Sequence, residues 1–198
     1  MSNNKKSHYE DMKKLLCADI LHSSKKFSWR RIILRCWRQP GHRFMCWWRI
    51  ANCLYCQGGK SSIKWARRIH RRLVSKYNTD IGLGAQIGEK FKIYHFVGIV
   101  ICPQAVIGKN VRIRQNTTIG LKTVEGIKAI RIGDNVEIGA NSCIIGDDLT
   151  IGDNVTIGAM SFVNRNIPAN SVFITRRAAQ LLPLDTHSTS NYSEQHNK

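Results

Sequence analysis

Acidic side chains are scarce in this 198-residue chain, where 13 Asp and Glu stand against 31 Lys and Arg for a formal net charge of +18. The scarcity is concentrated: residues 1–77 hold 19 of the basic residues and only 3 of the acidic ones. An anionic surface, such as a membrane leaflet, is the natural neighbour of such a segment. No nucleic-acid-binding motif accompanies the charge, so a nucleic-acid partner is not expected. Also absent is any uncharged apolar run near the roughly 20 residues that a spanning helix needs. The opening "MSNNKKSHYEDMKK" lacks the apolar stretch of a secretory signal. The 7 cysteines are odd in number and irregularly spaced, which reads as free thiols in a reducing, cytoplasmic setting. Cys53 and Cys56 form one CxxC, but no second pair stands at zinc-ligand spacing, so no metal is expected.

What is present divides into segments. Residues 1–77 read as a basic helical region. In "SWRRIILRCWRQPGHRFMCWWRIANCLYCQGG", Pro40-Gly41 and Gly58-Gly59 punctuate helices, and Phe44, Trp47, Trp48, Ala51, Leu54 and Tyr55 recur at three- and four-residue spacing. A further helix, "SSIKWARRIHRRLVSKY", is expected to start at a serine cap, with Ile63, Ala66, Ile69 and Leu73 on one side and Arg and Lys on the other.

Residues 78–167 repeat every six positions. Ile81, Ile87, Ile93 and Ile99 are followed, after a two-residue shift, by Ile101, Ile107, Ile113 and Ile119. Ile132 and Ile138 come next, and then, one residue out of step, Ile145, Ile151, Ile157 and Val163. Glycine follows many of these, and small or branched residues such as Ala85, Val111, Thr117, Val136, Ser142, Val155 and Ser161 fill the fourth position after them. A six-residue period fits neither a 3.6-residue helix nor an alternating strand. It fits a short strand that turns a corner at each repeat, with three strands closing one coil of a prism and glycine relieving a tight corner. Residues 168–185 read as a closing strand and helix, and the polar 186–198 as a disordered tail.

The repeat breaks twice. One break is the shift inside "KIYHFVGIVICPQAVIG"; the other is "GLKTVEGIKAIRIG", where an insertion separates Ile119 from Ile132 and must project outward. His95, the only histidine of the repeat region, sits in the first break. Asp80 lies 15 residues earlier, close to one coil back, so stacking is expected to bring its carboxylate to one nitrogen of His95. The other nitrogen would then be free to take a proton.

From Asp80 to Ile101 the chain resembles the serine acetyltransferases and their relatives that acetylate sugars for surface polysaccharides. The family motif D-I-x-(P/G)-x-A-x-I-G-x-(G/F)-x-x-x-x-H matches from Asp80 to His95, "GIVI" follows at Gly98–Ile101, and "ILRCWRQPGHRFMCWWRIANCLY" is similar to the family's helical segment. The resemblance implies a left-handed parallel β-helix, mainly β with an N-terminal α-helical region, assembled as a homotrimer. It implies an acetyl-CoA-dependent O-acetyltransferase with His95 and Asp80 as catalytic residues. Gly120 is a candidate oxyanion donor, Ala140 and Ala159 are candidates to flank the pantetheine, and Arg176 and Arg177 to meet the nucleotide phosphates.

The departures concern the acceptor. Where the serine enzymes carry Asp before the catalytic His and an Arg-His pair closing the insertion, this chain has Tyr94, Lys128 and Ala129. Tyr94, Lys122 and Lys128 are therefore the expected acceptor-binding residues, and a sugar hydroxyl is favoured over serine. Two alternatives remain: serine O-acetylation, and a non-catalytic β-helix that binds or scaffolds.

Overall fold

The computed structural model describes residues 2–21, 27–123 and 128–176. Helix α1 (Ser2–Leu16) runs on through one π-helical turn (Cys17–Leu21), followed by α2 (Trp29–Arg38), α3 (Pro40–Cys56) and α4 (Lys60–Tyr77). Pro40 opens α3, where its missing N–H costs nothing. The expected serine cap of α4 is not used. Gly59 takes that place with φ 88, because the chain leaves the preceding Gly-Gly turn in a conformation that a serine would resist.

Beyond α4 the backbone winds through three parallel sheets. The first stacks β1 (Thr79–Ile81), β4 (Ile99–Ile101), β7 (Thr118–Gly120), β10 (Cys143–Ile145) and β13 (Phe162–Val163). The second stacks β2 (Gln86–Ile87), β5 (Ala105–Ile107), β8 (Ile130–Ile132) and β11 (Leu149–Ile151). The third stacks β3 (Lys92–Ile93), β6 (Arg112–Ile113), β9 (Glu137–Ile138), β12 (Thr156–Ile157) and β14 (Val172–Phe173). Each coil visits the three sheets in turn, which makes the domain a parallel β-helix.

The register explains the sequence pattern. In the first sheet Ile81 pairs with Ile101, Ile101 with Ile119, Ile119 with Ile144 and Ile144 with Val163, all of them buried. The small residues at the fourth position are buried beside them, from Ala85 to Ser161. One expectation changes: Ile144, not Ile145, continues the core column. The extra residue is taken up after it, in the loop that carries Asp147 and Asp148, so the buried column keeps its step. Glycine serves a single purpose at most of these corners. A Cβ on Gly88 would stand 2.5 Å from the Gly108 carbonyl oxygen of the next coil, so close stacking, rather than backbone conformation, excludes it.

Left-handed backbone falls instead on asparagines two residues further along. Asn110, Asn135, Asn154 and Asn170 all have positive φ, and their carboxamides form a ladder, each Nδ2 donating to the next Oδ1 at 2.9, 3.1 and 2.9 Å. Asparagine tolerates this conformation better than other side chains do, and stacking then satisfies its amide.

The helices close the first coil, whose carbonyls have no preceding strand to receive them. Trp48 Nε1 donates to the Ile81 carbonyl at 2.8 Å, and Asn52 Nδ2 to that of Ala85 at 3.0 Å. Arg49 donates from its two terminal nitrogens to the carbonyls of Ile87 and Gly88 at 2.5 and 2.7 Å. Arg49 is itself buried against Asp19, with Nε to Oδ2 at 3.0 Å, while Asp19 Oδ1 accepts the Lys90 N–H at 2.7 Å. Fully buried Phe44 and Trp48 continue the β-helix core into α3.

Candidate active site

His95 sits at the corner between the third and first sheets, in the stretch Tyr94–Gly98 that separates β3 from β4. Three interactions fix this corner. Phe96 packs inward on Phe44 and Tyr77, with ring centroids 5.0 and 6.0 Å away. Tyr94 lies outward between Lys92 and Arg114, whose cationic groups are 4.6 and 5.3 Å from its ring centre. Gly98 donates its N–H to the Asn78 carbonyl at 2.9 Å and holds φ 64, with the Asn116 carboxamide occupying the space of a would-be Cβ. Gly98→Ala is therefore expected to destabilise the chain by more than about 1 kcal/mol, seen as a lowered melting temperature. With both neighbours anchored, the His95 imidazole stands exposed.

Among the described residues Asp80 and His95 share no hydrogen bond or ion pair. The expected carboxylate–imidazole pair is replaced by another: His70 Nε2, on α4, lies 3.1 Å from Asp80 Oδ1 and 3.0 Å from the Ile81 carbonyl oxygen. Two acceptors at one nitrogen mean that Nε2 carries the proton. The register accounts for the exchange: Asp80 pairs with Val100, so one full coil runs past His95, which lies only 15 residues after Asp80 and falls at the corner before the pairing strand. His70 belongs to the basic helix α4, and no spacing rule links a helix residue to a strand across the Asn78 turn.

The same register aligns other groups along the His95 edge. Ile93 pairs with Ile113, Ile113 with Ile138, Ile138 with Ile157 and Ile157 with Phe173. The residues two positions later therefore follow one another up one corner of the prism: His95, Gln115, Ala140, Ala159 and Thr175. Arg176 comes immediately after, exposed at the far end. Four inter-strand steps of about 4.8 Å make this edge roughly 19 Å long. Arg177 lies outside the described residues.

Gly120, Lys122 and Lys128 lie elsewhere. Gly120 ends β7 at the opposite edge of the first sheet, in register with Ile145 and with open space over its Cα. The ends of the insertion meet there on Asp147, which accepts the Thr123 N–H at 3.1 Å, the Thr123 hydroxyl at 2.9 Å and the Lys128 ammonium at 3.0 Å. Lys128 also donates to the Thr123 hydroxyl. Its charge is thus engaged within the loop, whereas Lys122 is exposed. The Lys128 hydrogen bond and the Thr123 donors hold the Asp147 carboxyl down to about 2. A depressed carboxylate anchors its partners above the ordinary value near ~3.9 and releases them as pH falls through its own. Protection of the Thr123 amide from hydrogen exchange should therefore persist to pH ~4 and fade toward pH ~2, and Asp147→Asn should weaken it at neutral pH.

Comparison with known proteins agrees with this architecture. Residues 129–165 match the family model described as bacterial transferase hexapeptide (six repeats). The serine acetyltransferase isoform 3 of Entamoeba histolytica, solved in complex with cysteine, is 30% identical with a TM-score of 0.73, over 95% of this chain and 67% of that one. This chain is a serine acetyltransferase-like hexapeptide-repeat protein. The soybean serine acetyltransferase apoenzyme is 28% identical with a TM-score of 0.71, over 90% of this chain and 72% of its own. A plasmid-borne serine acetyltransferase of Synechococcus elongatus is 36% identical over 89 residues, which span 37% of this chain and 28% of the relative.

Proposed function

We propose that the protein is an acetyl-CoA-dependent O-acetyltransferase in which His95 is the general base. The observation that carries this reading is the single corner that aligns exposed His95 with small Ala140 and Ala159 and ends at Arg176. Its length suits an extended pantetheine arm with the thioester at His95 and phosphates at the cation. His95 takes the proton of the acceptor hydroxyl while the oxygen forms a bond to the thioester carbonyl carbon. As the C–S bond breaks, the resulting imidazolium returns the proton to the CoA sulfur. No acyl-enzyme is required. Binding of the acetyl-CoA adenosine end at Arg176 and Arg177 is part of the same proposal.

Gly120 and the insertion occupy the other edge of the first sheet. They reach a His95 only if a second copy presents that edge, as in the homotrimer implied by the resemblance. The Gly120 backbone is then the proposed oxyanion donor from the neighbouring copy.

Similarity to serine acetyltransferases supports serine over a sugar as the acceptor, the reverse of the order favoured by the sequence, and two of those enzymes were solved with cysteine and with serine. A sugar hydroxyl remains the second reading on one observation. With Tyr94 before His95 and the Lys128 ammonium held by Asp147, no free pair of opposite charges stands ready for serine's ammonium and carboxylate at these positions among the described residues. Release of CoA thiol from acetyl-CoA, measured in parallel with L-serine and with neutral sugars, tests both readings. Turnover with serine alone supports the first, turnover with sugars alone supports the second, and no turnover with any hydroxyl acceptor overturns the activity.

A further inference from the structure

The acetyl-transfer chemistry leaves one strongly marked surface unused. On α2, Trp29, Ile33 and Trp37 follow one another at four-residue spacing and are 38, 63 and 77% exposed. Leu34 beside them is 54% exposed, and Trp47 from α3 extends the patch at 48%. Trp29, Ile33, Trp37 and Trp47, with Ile50 and Arg43, line an apolar groove of about 380 Å³. Arg43 is turned back on its own helix pair, donating to the carbonyls of Cys36 and Trp37 at 3.1 and 3.0 Å. Around the rim, Arg30 and Arg38 are exposed and form no ion pair among the described residues.

We propose that this face of α2 and α3 is a docking surface for an anionic phospholipid bilayer, with the tryptophans and Ile33 entering the interface and the arginines meeting headgroups. An amphipathic helix with bulky aromatics on one side and arginines on the other lies in the plane of a leaflet. Indole rings suit that boundary, and basic side chains near it are drawn to negative lipid. Among the described residues no helix is long and apolar enough to cross a membrane, so the contact is one of lying on the surface.

Charge selects this occupant. With 19 basic and 3 acidic residues in positions 1–77, a second copy of the same face would bring like charge against like charge, whereas an anionic leaflet neutralises it. A soluble polyanion would satisfy the arginines but leave Ile33, Leu34 and Trp37 in water.

The test is co-sedimentation and tryptophan emission of the full chain with phosphatidylcholine vesicles, with and without about one quarter phosphatidylglycerol. Binding to the anionic vesicles with a blue-shifted emission is expected, together with much weaker binding to the neutral ones. Ile33→Asp should lower partitioning by about tenfold, because it places a charge where apolar area was buried. Trp37→Ala should reduce both binding and shift, and neither exposed change should alter the circular dichroism spectrum or melting temperature. No binding to anionic vesicles at low salt would overturn the proposal. So would binding without an emission shift that Ile33→Asp leaves unchanged, since charge alone would then account for it. A smaller particle for Ile33→Asp in sedimentation velocity without lipid would overturn it too, by assigning the face to a second copy. None of these readouts depends on acetyl transfer, so the outcome is separate from that of the proposed activity.

Discussion

His95→Ala should slow acetyl transfer by about 10²–10⁴-fold, the usual worth of a positioned general base. The variant should keep its fold, because the imidazole is exposed and the corner is held by Phe96, Tyr94 and Gly98. CoA release at saturating acetyl-CoA, compared with the unaltered chain at equal circular dichroism, measures it. Equal rates would remove the catalytic reading and leave the alternative of a binding or scaffolding β-helix. Asp80→Asn should cost much less, since its carboxylate is paired with His70 and not with His95. A loss from Asp80→Asn as large as that from His95→Ala would mean that the two residues meet in the working enzyme.

The largest effect on stability should come from Arg49. Its side chain is 3% exposed and that of Asp19 1%, so Arg49→Met strands a carboxylate in the interior and deprives the Ile87 and Gly88 carbonyls of donors. Losing one partner of such a pair typically costs about 3–5 kcal/mol, a shift of the urea midpoint that equilibrium unfolding would resolve. Burial pushes the Asp19 carboxyl above its ordinary range, and Arg49 with the backbone N–H groups of Lys90 and Phe91 pulls it back only in part. Without Arg49 the raised value rises further. The folded variant then binds a proton that the unfolded chain has released, so its deficit should grow as pH increases from acid toward neutral. Removing both charges, as in Arg49→Met with Asp19→Leu, should recover part of the loss. The backbone groups that Arg49 and Asp19 had satisfied remain unpaired.

The buried columns could be read from the sequence because a coil tolerates little else at those places. Isoleucine points inward, small residues fill the niche beside it, and glycine stands where the next coil leaves no room for a Cβ. Errors arose where the count of residues per coil changed. The sequence pattern points to Ile145, but the stacking partner of Ile119 is Ile144. The 15 residues between Asp80 and His95 fall short of a full coil, and the register sets Asp80 against Val100, beyond the His95 corner. His70 could not be found, since its contact crosses from helix to strand. The corner shared by His95, Ala140 and Ala159 was hidden for a related reason: unequal insertions separate these residues by irregular intervals, and only the hydrogen-bond register brings them into line. Asn110, Asn135, Asn154 and Asn170 recur visibly, yet their ladder depends on backbone dihedrals that composition does not reveal.

The helices also determine where the column ends. A stack of parallel coils has no intrinsic length, because its lowest rung offers carbonyls and any identical rung could dock beneath it. Trp48, Arg49, Asn52 and His70 occupy those acceptors with side chains that no strand can displace in register. The basic arm thereby acts as a terminator of growth, and a chain stripped of it would carry a sticky face suited to filament formation.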